Sequence, residues 1–194
     1  MKNRGTLLLI LTASMFSMVL SAHDSTPNEV SIAVTKVVGG EFEGRRTYDL
    51  NFSITNHSRV PVFLPRRGLG KPNGIATLEP EILQNENWKS LPTHHELPEL
   101  VPVKIEPGET YEDEFGLLDP FPVSIWETHT DQANSIPLKG KLRVKVRYAM
   151  GESEWQAYVV ARTRAWESAS STLPKVPPLR PIYSVPFELP SDTQ

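Results

Sequence analysis

Residues 141–148 read Lys-Leu-Arg-Val-Lys-Val-Arg-Tyr. Every second residue is apolar and every residue between is cationic. In an extended chain successive side chains point to opposite faces, so this segment is a strand with one buried and one wet face. A helix would scatter the same apolar residues around its circumference. The constraint recurs along the chain. Tyr48, Leu50, Phe52 and Ile54 alternate with Asp49, Asn51 and Ser53; Ile32 and Val34 alternate with Ala33 and Thr35; Val60, Val62 and Leu64 follow a polar Asn56-His57-Ser58 turn.

Turn signals separate these runs. Gly39-Gly40 is expected to end the first strand. Asn85-Glu86-Asn87 joins 81–84 to 88–91 as a hairpin. Pro107-Gly108 turns 101–105 into 110–117. Gly151-Glu152 turns the strand at 141–148 into a returning segment at 155–160, and 182–189 closes the set, with Pro186 marking an edge or bulge. No window predicts a long amphipathic helix. The expectation is an all-β fold: an antiparallel immunoglobulin-like β-sandwich of about 8–9 strands. Two long loops, 93–102 and 119–137, interrupt it, and a Pro/Ser-rich stretch at 164–181 is expected to be irregular.

The N-terminus carries Lys2 and Arg4, an apolar run from Thr6 to Leu20, and small residues at Ser21-Ala22. The run of about 15 residues falls short of the roughly 20 that span a bilayer as a helix. Residues 1–22 therefore read as a signal peptide, cleaved after Ser21 or Ala22, with 23–194 a single domain lacking a transmembrane anchor. Removing Lys2 and Arg4 and no acid leaves a formal charge of −5, which argues against nucleic acid as a partner. There is no cysteine, so disulfides, thiolate metal sites and thiol catalysis are excluded. An exported chain without disulfides points to a bacterial periplasmic or secreted protein.

The order of motifs carries a resemblance. Tyr48–Ser58 is followed by Val60-Pro61-Val62-Phe63-Leu64, the hairpin with Trp88, and Ile105-Glu106-Pro107-Gly108-Glu109. Gly140–Tyr148 and Ser184-Val185-Pro186-Phe187 complete it. Over about residues 30–190 this resembles exported bacterial immunoglobulin-like domains and, more loosely, the intracellular proteinase inhibitor family of Bacillus. The resemblance implies the fold; no inhibitory segment matches residue by residue.

Four sets of residues are candidates for function. His23, if it becomes the mature N-terminus, offers an amine and an imidazole to copper, given a second histidine. Copper-dependent polysaccharide monooxygenases are similar in that respect. His94-His95-Glu96 is the densest group of metal-type ligands, with a solvated loop as the plainer reading. Arg66 and Arg67 lie in a cationic, glycine-rich segment whose exposure would suit protease inhibition or an anionic partner; a surface β-turn is the alternative. Trp126 and Trp166 fall in the irregular segments and are candidates for an exposed protein-binding patch. The basic face of 141–147 is expected to pair with the acidic segment 106–114. Neither G-x-S-x-G nor Ser-x-x-Lys occurs. The leading expectation is thus a non-enzymatic binding or interaction module with no cofactor. Its partner would be a protein or a component of the cell envelope.

Overall fold

The computed structural model describes residues 29–67, 78–91, 98–122, 135–167 and 178–190. Their strands are β1 (Val30–Phe42), β2 (Arg45–Asn56), β3 (Val62–Arg67), β4 (Glu79–Gln84), β5 (Asn87–Ser90), β6 (Pro98–Ile105), β7 (Thr110–Asp119), β8 (Phe121–Pro122), β9 (Ser135–Ile136) and β10 (Lys141–Met150). One helix, α1 (Gly151–Glu167), precedes β11 (Arg180–Tyr183) and β12 (Phe187–Glu188).

The pairings are antiparallel and build two principal sheets. The first runs β1-β2-β7; the second runs β5-β4-β10-β3-β6, with β11 and β12 also paired to β10. The inward residues of both meet in one core. Tyr48, Leu50, Phe52 and Ile54 from β2 pack with Leu142, Val144, Val146 and Tyr148 from β10, joined by Val62, Leu64, Ile82 and Ile105. The chain is therefore an all-β sandwich, and the period-two signal at β2 and β10 marks its central strands.

Several boundaries differ from the sequence reading. β1 runs through Gly39-Gly40 to Phe42, and the hairpin turns at Glu43 (φ 52°) and Gly44 (φ 72°). Two successive positive φ angles make the turn that suits twisted antiparallel strands, so the glycine pair only looks like a break. The β4–β5 hairpin turns as expected, at Asn85 (φ 49°) and Glu86 (φ 64°). The long loops are shorter than expected, because β6 takes 98–102 and the β8–β9 pair lies within 119–137. The closing segment is two short strands rather than one. Between them the buried Ser184 replaces ladder contacts: its N–H donates to the Val144 carbonyl (2.8 Å) and its hydroxyl accepts from the Val144 N–H (2.9 Å).

The largest correction is α1. Residues 155–160 were expected to pair back as a strand, and 164–167 to be irregular; both belong to the helix. Glu152, Ala157, Ala161, Arg162 and Arg164 favour helix, and the acids Glu152 and Glu154 lie in its first turn, where the dipole favours them. The Glu154 carboxylate accepts the Met150 N–H (2.9 Å), satisfying one donor at the helix entrance. Among the described residues Trp155, Tyr158 and Val159 face the sheet, while Val159-Val160 imitates a strand.

Those residues form a second, smaller core on the outside of the second sheet. Phe63 and Ala149, whose neighbours Leu64 and Tyr148 face the main core, turn outward to Trp155, Tyr158 and Leu179. Phe63 and Trp155 stack at 6.1 Å between ring centroids, and Trp155 meets Tyr158 at 5.5 Å. Arg180 then ties helix to sheet: its guanidinium binds the Glu154 carboxylate and approaches Glu29 at 3.8 Å. The hydrogen bonds from Arg180 hold the Glu154 carboxyl below its ordinary value, against a smaller opposing effect of burial.

Candidate functional site

Beyond α1, the outer face of the second sheet is polar and ordered. Register places Arg143 opposite Glu81 and Lys145 opposite Glu79. Arg143 donates to Glu81 Oε2 from Nε (2.7 Å) and from Nη2 (2.6 Å). Lys145 Nζ reaches Glu79 at 2.6 Å and Glu81 at 3.6 Å, and Arg147 Nε reaches Glu79 at 3.0 Å. Three cations thus share two carboxylates. The basic stripe of β10 finds its acids on β4, not on 106–114; β7, which carries Glu112, Asp113 and Glu114, pairs with β2 in the other sheet. Lys145 is only 8% exposed, at a position where the alternation predicts a wet side chain.

Burial by itself would raise the Glu79 carboxyl. The hydrogen bonds from Lys145 and Arg147, with their charges, outweigh it and hold the group below its ordinary 4.5. A carboxylate with a depressed native pKa stabilises the fold above its unfolded value and loses that contribution as pH falls through the native one. Glu79→Gln is therefore expected to lower the urea midpoint at neutral pH, and the gap from wild type to close on acidification below about 4.5. A gap of constant size from pH 7 to pH 3 would refute this account of Glu79.

Two aromatic rings complete the arrangement. The Arg143 guanidinium lies 4.3 Å from the centroid of Trp88 on β5 and 4.2 Å from that of Tyr183 on β11. A planar cation between two π-faces, forked onto a carboxylate, has little freedom left. Tyr183 is 45% exposed, and Val185 beside it is 80% exposed. Trp, Tyr and Arg are the side chains that most often dominate binding energy at protein interfaces. Here they are fixed before any partner arrives, which lowers the ordering cost of association.

The sequence candidates fall elsewhere. Arg66 and Arg67 are the last residues of β3, in register with Glu99 and Pro98. The expected dibasic loop is strand at these two positions, and Arg66 is half-buried. Trp166 lies in the last turn of α1, not in an irregular segment. His23, His94, His95 and Trp126 lie outside the described residues, as do residues 1–22, which the sequence reads as a signal peptide. Among the described residues no group of three or more His, Asp or Glu side chains could hold a metal ion, and no helix is long and apolar enough to cross a membrane. His57 shares a hydrogen bond with the Ser31 hydroxyl at 2.9 Å.

Sequence reasoning singled out Trp126 and Trp166 because they lay outside predicted strands. The aromatic residues on the organised face, Trp88 and Tyr183, lie inside strands instead. The cue present was the alternation itself: Trp88, Glu81 and Arg143 each occupy the outward parity of their strand.

No family model and no curated protein matches the chain. Among solved structures it is similar to the X-ray structure of a Northeast Structural Genomics Consortium target, with 13% identity and a TM-score of 0.37, covering 84% of this chain and 88% of that one.

Proposed function

We propose that this chain is an exported, immunoglobulin-like binding module of the bacterial periplasm or medium, without catalytic activity. Its contact surface for a protein partner is the outer face of the second sheet. The observation that carries the reading is the Trp88–Arg143–Tyr183 stack. It sets three interface-favoured side chains on rigid strands, beside the exposed Val185.

The test uses the protein recovered from the exported fraction of its own host. Mass spectrometry of its N-terminus is expected to show a start at Ala22 or His23. Immobilised wild-type chain is expected to retain a partner from that fraction that the folded double variant Trp88→Ala, Tyr183→Ala does not. Equal retention by both baits would contradict this surface. Turnover of a substrate abolished by one point change would contradict the non-enzymatic reading.

A further inference from the structure

A cleft of about 270 Å³ opens at one end of the sandwich, between the start of β2, the end of β7, the approach to β10 and β12. Four charged side chains from four separate segments meet there, two of each sign: Arg46 near the start of β2, Asp119 at the end of β7, Lys139 ahead of β10 and Glu188 on β12. Tyr48, Leu138, Leu189 and Pro190 supply apolar wall. Asp119 is positioned from inside, because its Oδ1 accepts the Leu138 N–H at 3.0 Å.

The charges contrast with those of the β4–β10 ladder. There each cation touches a carboxylate. Here neither Lys139 nor Glu188 takes part in an ion pair among the described residues. A ligand carrying one charge would meet a like charge across the cleft along with its partner. A ligand carrying both would satisfy each sign at once. The volume suits something larger than a few waters and smaller than a drug-sized molecule, whose pockets start at about 300 Å³.

We propose that this cleft binds a small zwitterion with an apolar body, of the α-amino acid class. Its carboxylate faces Lys139, its ammonium faces Asp119 and Glu188, and its side chain lies against Leu138 and Leu189. The site is separate from the stacked face and stands or falls independently of it.

Amide chemical-shift mapping of the purified protein tests this with three probes: L-leucine, N-acetyl-L-leucine and L-leucine methyl ester. Saturable shifts confined to 46–48, 119, 138–140 and 188–190 are expected with L-leucine, and much weaker ones with either blocked form. Lys139→Gln and Glu188→Gln, both at exposed positions, are each expected to weaken L-leucine binding by about tenfold, the worth of one charge-assisted contact. No shifts with L-leucine would overturn the proposal. So would equal binding of the acetylated form, which would mark a simple anion site, or of the ester, which would mark a cation site. Unchanged affinity in both variants would overturn it as well.

Discussion

Asn56→Ala is expected to destabilise the protein by about 3 kcal/mol, on the order of 10 °C in melting temperature. Asn56 is fully buried. Its Nδ2 donates to the carbonyls of Val60 (2.9 Å) and Ile105 (3.0 Å), and its Oδ1 accepts from the Ser58 N–H (2.9 Å) and hydroxyl (2.7 Å). Its backbone pairs with Glu109 and Gly108 across the next turn. One side chain thus joins the end of β2, the entry to β3 and the end of β6, where the chain passes between sheets. Alanine removes both donors and the acceptor. Water can reach the exposed Val60 but not Ile105, which is 1% exposed, so the Ile105 carbonyl loses this donor with no water to replace it. Asn56→Asp is expected to be at least as harmful, because it turns a carboxylate toward two carbonyls. A loss below about 0.5 kcal/mol in chemical denaturation, the size of an ordinary surface change, would show that the turn holds itself together.

The second large effect is expected at Trp155, where alanine should cost about 4 kcal/mol, the usual penalty for emptying a buried tryptophan site. Trp155 is 3% exposed and touches both Phe63 and Tyr158. Among the described residues it is the central contact of a five-residue core between α1 and the sheet. Arg180 and Glu154 lie near the surface and contribute modestly. Hydrogen exchange should therefore accelerate across 151–167 more than in β2 or β7. Val160→Ala, on the same helix but 45% exposed, is expected to change stability by less than about 0.5 kcal/mol. Equal effects of the two substitutions would refute the packing account of α1.

Sequence reading recognised β2 and β10 from clean alternation, because each has one face in the main core. It failed where a segment faces something other than that core. Among the described residues, helix α1 packs Trp155, Tyr158 and Val159 against a sheet whose own outer residues, Phe63 and Ala149, no local pattern identifies. The partner acids of β10 illustrate the same limit. Glu79 and Glu81 lie more than sixty residues from Arg143 and Lys145 in sequence, and only strand order brings them together. The acidic run at 106–114 is closer along the chain and belongs largely to the other sheet. The aromatic stack was invisible for this reason too: Trp88, Arg143 and Tyr183 come from three strands that only the fold brings together.

The central claim is that the stacked face is a binding surface. It is tested most directly by the dissociation constant of the captured partner for wild type, for Trp88→Ala with Tyr183→Ala, and for Glu112→Ala on the exposed part of β7 as a control. The account predicts that the double variant weakens binding by at least about thirtyfold, as removal of an interface hot spot does, while the control stays within about threefold of wild type. A double variant that binds as tightly as the control would contradict it.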